Sequence, residues 1–211
     1  MESNMVCIAG EIVSDFEFSH QFNEKKFYKC KIKITRNSGT ADVIPVMTLG
    51  HLIDPKTDYT GIHAIIVGSY HSRKVFSGGR MRLELFVFAK DVIWANTADE
   101  NLVLLKGVIS KSPIFRKTPK GRSITDIMLT VKRESGRTDY IPCVAWGGTA
   151  MFACQLDVGT EVSITGRIQS REYQKRLSES CSMLKTAYEV SISQMEVVES
   201  EECKNQVADA E

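Results

Sequence analysis

The feature that most constrains the fold of this chain is an internal repeat. Residues 34–46 read ITRNSGTADVIPV and residues 131–143 read VKRESGRTDYIPC, so Arg, Ser, Gly, Asp, Ile and Pro recur 97 positions apart. At the same offset NMVCIAG, which begins at Asn4, matches NLVLLKG, which begins at Asn101. At an offset of 98, GIHAIIVGSYHSR matches GTEVSITGRIQSR. A repeat over most of both halves indicates two copies of one structural unit.

The length of the chain agrees with this interpretation. Its 211 residues suit two domains of about 100 residues each. A hydrophobic content of 43% and a charged content of 25% are typical of folded domains. We therefore expect an N-terminal domain at 1–96, a C-terminal domain at 97–199 and a short, disordered acidic tail at 200–211.

The apolar residues of the second copy alternate with the period of strands. Five such segments can be read, NLVLLKGVIS, SITDIMLTVKR, TDYIPCVAW, EVSITGRIQSREY and AYEVSISQMEVV. FRKTPKGR reads as a turn, and GTAMFACQLDV, between the third and fourth segments, reads as a short helix. This order is that of an OB fold, a five-stranded Greek-key barrel, so the sequence predicts an all-β chain of two tandem OB folds.

One feature distinguishes the first copy from the second, and another describes the junction between them. Pro55 in the segment HLIDPKTDYT excludes a normal helix interior, so a loop or a single turn is expected where the second copy has its helix. The linker NTADE at 96–100 is short and polar, which predicts that the two barrels lie close together.

The second copy resembles the bacterial single-stranded DNA-binding protein family. The stretches NLVLLKGVISKSP, TPKG, TDYIPCVAWG and GTEVSITGRIQSREY stand in the order that this family shows, and the likeness covers 101–198 well and 4–94 faintly. It implies binding of single-stranded DNA with little sequence preference in replication, recombination or repair. It also implies assemblies of four OB folds, which a homodimer of tandem barrels would supply.

The resemblance does not extend to the chain end. Family members often end in an acidic segment with a Pro-Phe tip that recruits replication and repair proteins. This chain ends EECKNQVADAE, which is acidic but lacks that tip. Such partners therefore remain an open expectation.

Candidate stacking residues follow from strand alternation in DYIPCVAW. Tyr140 and Trp146 share one face with Pro142 and Val144. The opposite face, which suits a barrel core, holds Ile141, Cys143 and Ala145. The family resemblance assigns base stacking to Tyr140 and Trp146, and Tyr173 is a third candidate. Without the resemblance, each of these aromatics could equally be packing.

Candidate phosphate contacts lie on two hairpins and the fourth strand. Aromatic faces for bases and cations for phosphates are what single-strand binding requires. The first group surrounds the predicted turn FRKTPKGR and consists of the aromatic Phe115 with the cations Arg116, Lys117, Lys120 and Arg122. The alternative for this group is a solvated hairpin tip without a ligand. The second group consists of Lys132, Arg133, Arg137, Arg167 and Arg171.

The first copy lacks the stacking set. Val43, Leu49 and Val75 stand where the second copy has Tyr140, Trp146 and Tyr173. Its own aromatics cluster near the first hairpin, where they are core or a partner surface, as Phe16, Phe18, Phe22, Phe27 and Tyr28. The alternating Phe86 and Phe88 are expected to fill the core. The first barrel is accordingly expected to be scaffold, dimer surface or partner site.

Other classes of protein lack support. The sequence has no nucleophile elbow, phosphate loop, zinc motif or paired carboxylates, so we expect no catalysis, no cofactor and no metal. It has no signal peptide pattern and no apolar run of membrane-spanning length, which favours a cytoplasmic protein without membrane contact. Residues 101–199 carry 14 basic and 10 acidic side chains. Two alternatives remain: a primosome or other replication adaptor acting through protein contacts, and a binder of single-stranded RNA.

Overall fold

The computed structural model describes residues 3–176 and 182–198. The predicted tail at 200–211 lies outside these residues. In the part described, no helix combines the length and apolarity that crossing a membrane requires.

The first half forms five long strands and one short one. A single 3-10 turn, Gly50–Leu52, occupies the place where Pro55 argued against a helix, which confirms that prediction. The strands are β1 (Asn4–Ile12), β2 (Glu17–Phe22), β3 (Lys25–Thr35), β4 (Ala41–Leu49), β5 (His63–Ser77) and β6 (Arg80–Trp94).

The second half repeats this order with a true helix. Helix α1 (Gly147–Ala153) follows the third long strand, as the sequence predicted. The strands are β7 (Glu100–Ile109), β8 (Ile114–Lys117), β9 (Ser123–Lys132), β10 (Thr138–Trp146), β11 (Glu161–Arg176) and β12 (Ser182–Val197). The predicted turn FRKTPKGR is partly strand, because Phe115 to Lys117 pair with β9 and only Thr118 to Arg122 form the turn.

Each half closes into a barrel. In the first half β1 pairs with both β3 and β5, and the sheet continues through β4 and β6 with β4 and β6 parallel. The second half closes in the same way through β7, β9, β10, β12 and β11. This closed order of five long strands is the OB topology, so the predicted fold is confirmed. The short strands β2 and β8 extend the hairpins at the two outer edges.

Repeated glycines allow the first strand of each half to turn from one neighbour to the other. An added Cβ at Gly10 would overlap the carbonyl oxygen of Lys33 on β3. The equivalent Gly107 lies in the same way against the carbonyl oxygen of Thr130 on β9. Only a residue without a side chain permits such an approach of two backbones. The matched glycines of the repeat therefore mark where the barrels close.

The two halves join through their equivalent first strands. β1 pairs with β7 antiparallel, from Asn4 opposite Leu105 to Ala9 opposite Glu100. At the centre Val6 lies opposite Val103, and both side chains are fully buried. These two valines are equivalent positions of the 97-residue repeat, so an approximate two-fold axis passes between them. The prediction that the barrels lie close together is confirmed.

Two buried aspartates extend this joint, and we name them with their partners the aspartate clamps. In the first clamp, Arg36 donates from Nε and Nη2 to the two carboxylate oxygens of Asp42, at 2.6 and 2.5 Å. Ser170 of the other half donates its backbone N–H to Oδ1 of Asp42 at 2.7 Å. The hydrogen bonds to Asp42 raise the pKa of Arg36. The carboxylate thus ties β4 to β11.

The second clamp is the same arrangement with the halves exchanged. Arg133 donates to Asp139 from Nε at 2.7 Å and from Nη2 at 2.5 Å. Asp139 accepts the backbone N–H of Ser72 at 2.6 Å, and Arg133 also donates to the carbonyl oxygen of Ser72 at 3.0 Å. Both aspartates have no solvent exposure. The Arg and Asp that the repeat shares are therefore the residues that hold the halves together.

Candidate nucleic-acid interface

The outer face of β10 carries the two aromatics that the sequence singled out. Tyr140 is 37% exposed and Trp146 is 39% exposed. The intervening Ile141, Cys143 and Ala145 belong to the barrel core, as alternation predicted. Since both rings keep more than a third of their surface open, both can offer a flat face to a ligand.

The first half holds Tyr140 in place. The backbone N–H of Tyr140 donates to Oγ of Ser72 at 2.8 Å, next to the second aspartate clamp. Nζ of Lys74, also from β5, lies 5.4 Å from the centre of the Tyr140 ring. A cation over a ring face is attracted by its quadrupole and adds positive charge beside it. Sequence reasoning missed Lys74, because no pattern within the second half points to a residue of the first.

Trp146 and Tyr173 occupy different elements. Trp146 is the last residue of β10 and precedes α1, so its backbone is fixed by a strand on one side and a helix on the other. Tyr173 lies opposite Lys185 on the long β11–β12 arm and is exposed. Arg171 is also exposed and lies two residues before Tyr173, on the same face of β11. This pair is thus a separate patch on the arm.

Two of the predicted cations are engaged in ion pairs. Arg116 donates from Nε and Nη2 to Asp126 at 2.6 and 3.0 Å, and this hydrogen bonding raises its pKa. Arg133 is committed to Asp139 and to Ser72, so its guanidinium serves the joint between the halves. The charge of Arg133 is thus shared with a buried carboxylate, and its contact with phosphate stays a prediction.

The other predicted cations point to solvent. Each is exposed, and none forms an ion pair with a carboxylate among residues 3–176 and 182–198. They are Lys117, Lys120 and Arg122 at the β8–β9 hairpin, Lys132 and Arg137 at the β9–β10 hairpin, and Arg167 and Arg171 on β11. Phe115 is exposed beside the first of these groups. Unpaired cations on hairpins around exposed rings suit a polyanion.

A groove between the two halves is a feature that sequence reasoning missed. Its volume is about 1060 Å³, and we call it the inter-half groove. The first half lines it with rings, His20, Phe22, Phe27, His71, Phe86 and Phe88. The second half lines it with the β9–β10 hairpin, which includes Lys132, Arg133, Arg137 and Thr138.

The expectation that Phe86 and Phe88 fill the core holds only in part, because Phe86 is buried whereas Phe88 is half-buried, and neither ring joins the main core cluster. On β6 it is Leu85, Val87 and Ala89 that enter the barrel core. Phe86 and Phe88 alternate with them and lie on the outer side, against the groove. Arg82, Glu84 and Lys90 share the face of Phe86 and Phe88, so alternation over the whole strand, rather than over residues 85–89 alone, would have placed this face outside.

His71 lies among these rings as a neutral imidazole. Burial, together with the charge of Arg133 and against that of Asp139, lowers its pKa to about 4. The His71 ring stacks on Phe88 with centroids 5.5 Å apart and an angle of 5° between the planes. At neutral pH this histidine therefore acts as a flat aromatic ring.

Two OB barrels with exposed rings and unpaired cations on their outer faces define a β-barrel protein of the oligonucleotide-binding type. The model of the single-strand binding protein family matches residues 100–198. Single-stranded DNA-binding protein B of Bacillus subtilis is 36% identical over 81 residues, which cover 35% of this chain and 72% of that protein. The chain belongs to the single-strand binding protein family.

Other relatives match over a smaller share of their length. Single-stranded DNA-binding protein A of Bacillus subtilis is 34% identical over 83 residues, covering 36% of this chain and 48% of that protein. Single-stranded DNA-binding protein 2 of Listeria innocua is 36% identical over 81 residues, covering 35% and 51%. The chain thus spans about half the length of these two relatives.

The two-barrel arrangement also has a counterpart of known structure. The wild-type single-stranded DNA binding protein from Thermus aquaticus superposes with a TM-score of 0.74 over 93% of each chain, at 19% identity. At that identity the likeness concerns the fold, and it extends over both halves of the repeat.

Proposed function

We propose that this protein binds single-stranded DNA with little sequence preference, through the outer face of its second half. The observation that carries the proposal is the exposed pair Tyr140 and Trp146 on β10, among cations without carboxylate partners in the described residues. Stacking on aromatic rings accepts any base, and cations on hairpins follow the phosphate backbone. The names of the curated relatives support DNA as the ligand.

The proposed stacking and phosphate contacts are strong enough to bind a single strand. Two or three stacked bases contribute roughly 1–3 kcal/mol each, which reaches the micromolar range before the cost of ordering the strand. Neutralising about five phosphates gives a slope near −3.5 for the logarithm of the binding constant against the logarithm of the salt concentration. We therefore expect affinity that falls steeply with salt.

The test is fluorescence anisotropy of a labelled oligo(dT), titrated at two salt concentrations with the wild type and a Tyr140→Ala, Trp146→Ala double variant. The double variant is expected to weaken binding by roughly 30-fold or more, since two stacking faces are lost. The matched control is Val43→Ala with Leu49→Ala, which truncates the equivalent positions of the first half. The control should bind as the wild type does.

Two results would count against the proposal. Wild-type protein that shows no salt-sensitive binding excludes single-strand coating and leaves the adaptor function. A double variant that binds as well as the wild type shows that the strand lies elsewhere. A parallel titration with oligo(U) separates DNA from RNA, with tighter binding of oligo(dT) expected.

We also propose that two copies assemble, which would bring four OB folds together in the cytoplasm. Exposed apolar side chains on the long hairpin arms, Phe76 and Met81 on one and Met183 and Leu184 on the other, offer surfaces for this contact and for replication or repair proteins. Light scattering should give twice the mass of the chain. A monomeric mass at micromolar concentration would exclude the homodimer.

A further inference from the structure

The inter-half groove has walls of two different chemical kinds. Its first-half wall is built from aromatic rings on β2, β3, β5 and β6, and its second-half wall is the basic β9–β10 hairpin. The volume of about 1060 Å³ lies near the upper end of the roughly 300–1,000 Å³ usual for ligand sites. The groove is therefore wide enough for several stacked rings of a ligand.

The aromatic wall presents flat faces in pairs. The rings of His20 and Phe27 stack with centroids 4.5 Å apart and parallel planes. His71 and Phe88 form the second parallel pair. At the rim Phe22 is 63% exposed, although it ends a well-paired strand and would gain from being covered. Such a wall suits a ligand that itself has flat π faces.

A β-bulge turns one end of β2 toward the groove. The pairing register with β3 shifts between Phe18 and His20. As a result Phe18 contacts Tyr28 edge-on, at 5.9 Å between centroids, whereas His20 stacks on Phe27. Phe22 lines the groove and Phe18 does not. The hairpin thus carries two exposed phenylalanines of which one faces the groove.

The charge of the groove selects the class of ligand. Lys132 and Arg137 line it without an ion pair to any carboxylate that the structure describes, and Arg73 and Arg133 add charges shared with Glu84 and Asp139. Among the described lining residues Glu134 is the only acid. A ligand with flat rings and regularly spaced negative charges, a single-stranded nucleic acid, complements both walls.

The groove is continuous with the face proposed for DNA. Thr138 lines the groove and lies two residues before Tyr140 on the same face of β10. Ser72 also lines it and accepts the hydrogen bond from the backbone of Tyr140. The groove and the Tyr140 face therefore adjoin through Ser72 and Thr138.

We propose that the inter-half groove is a second binding site for single-stranded nucleic acid, which rests on the proposed function. In it bases stack on Phe22 and His20 of the first half, and phosphates contact Lys132 and Arg137 of the second. The first half therefore takes part in binding at positions unrelated to Val43 and Leu49.

The test uses two lengths of labelled oligo(dT), about 8 and about 30 nucleotides, because one OB fold takes roughly 4–16 nucleotides. Phe22→Ala is expected to weaken binding of the longer oligonucleotide roughly 5- to 150-fold and to leave the shorter one, held at Tyr140 and Trp146, unchanged. Arg137→Ala should reduce the salt slope for the longer one by about 0.7. The matched controls are Phe18→Ala, on the same strand but outside the groove, and Lys111→Ala, an exposed cation far from the hairpin in sequence.

Ultraviolet cross-linking of bound oligo(dT) provides an independent readout, with adducts expected on the peptide that contains His20 and Phe22. The groove proposal is overturned if Phe22→Ala binds the longer oligonucleotide like the wild type, if it loses both lengths equally, or if Phe18→Ala has the same effect. A change in the mass of the assembly in Phe22→Ala, with unchanged oligonucleotide binding, would overturn it in favour of a contact between copies. Failure of the proposed function is distinct, because the wild type would then fail to bind the shorter oligonucleotide as well.

Discussion

The first and second halves share the residues of the aspartate clamps and differ on the outer face of the third long strand. Arg36 with Asp42 and Arg133 with Asp139 perform one task in two places, each reaching a serine of the other half. On the outer face of the third long strand the second half exposes Tyr140, where the first half has Val43. The clamps are therefore conserved between the two copies, whereas the candidate interface is present in one of them.

The largest effect is expected from breaking the joint. Asp42→Ala and Asp139→Ala each leave a half-buried arginine and a backbone N–H without their acceptor, which should lower the free energy of unfolding by about 3–5 kcal/mol. Urea unfolding at neutral pH measures this, with Asp157→Ala, an exposed aspartate, as the control. Equal losses would show that the clamps are equivalent; a loss below about 1 kcal/mol in either would show that its clamp contributes little.

A difference between the halves is predicted in their response to acid. His71 in the first half has Gln169 as its equivalent in the second. Because the pKa of His71 is lowered to about 4 in the folded state, the unfolded chain binds a proton first as the pH falls. Above about pH 6.5 the protonation of His71 does not affect the free energy of unfolding. As the pH falls toward 4, that free energy decreases by up to about 3 kcal/mol.

Urea unfolding at pH 7 and pH 5 tests this, with His71→Gln as the matched variant. The variant should lose less stability than the wild type over that interval. Parallel pH dependence of the two proteins would contradict the neutral, buried state of the histidine.

The glycines that close the barrels should be equally sensitive in both halves. Gly10→Ala and Gly107→Ala place a methyl group against a facing carbonyl oxygen, and the required backbone shift should cost about 1–3 kcal/mol. Gly148→Ala in α1 meets no heavy atom within 4 Å and should instead stabilise by about 0.5–1 kcal/mol. In thermal unfolding the melting temperature should fall for Gly10→Ala and Gly107→Ala and rise for Gly148→Ala. An unchanged melting temperature in Gly10→Ala or Gly107→Ala would contradict the close approach of the two backbones.

The smallest predicted effects concern the two serines of the aspartate clamps, and they distinguish a role in stability from a role in oligonucleotide binding. Ser72→Ala and Ser170→Ala should each lower stability by about 0.5–1.5 kcal/mol, since each hydroxyl makes one hydrogen bond. Only Ser72→Ala is expected to weaken oligo(dT) binding, because its hydroxyl accepts from the backbone of Tyr140. Anisotropy on both variants decides this, and an equal effect on binding would mean that Ser72 does not position the tyrosine.

Much of the fold was predictable because the relevant signals are local. Strand alternation separated Ile141, Cys143 and Ala145 from Tyr140 and Trp146, and the structure confirms which set is buried. Pro55 correctly excluded a helix in the first half, and the segment after the third strand of the second half correctly predicted one. Each of these inferences uses residues that are neighbours in sequence.

The parts that were not predictable depend on contacts between the halves. The repeat showed that Arg and Asp recur, but nothing in either copy indicated that Asp139 would accept a hydrogen bond from Ser72. Arg133 was for this reason predicted as a phosphate contact. The outer position of Phe86 and Phe88 is an exception, because Arg82, Glu84 and Lys90 on the same face of β6 are a local signal for it. The inter-half groove, lined by residues from both halves of the chain, has no local signal at all.

The pairing of β1 with β7 about Val6 and Val103 has a consequence for the direction in which a strand of nucleic acid can lie on the protein. A strand of nucleic acid has two different ends, and a protein with a true two-fold axis offers both orientations of that strand the same surfaces. In this chain the axis relates the backbones, while one side carries the stacking rings of β10 and the other the rings of the groove. The two orientations of a strand laid across the joint therefore meet different surfaces.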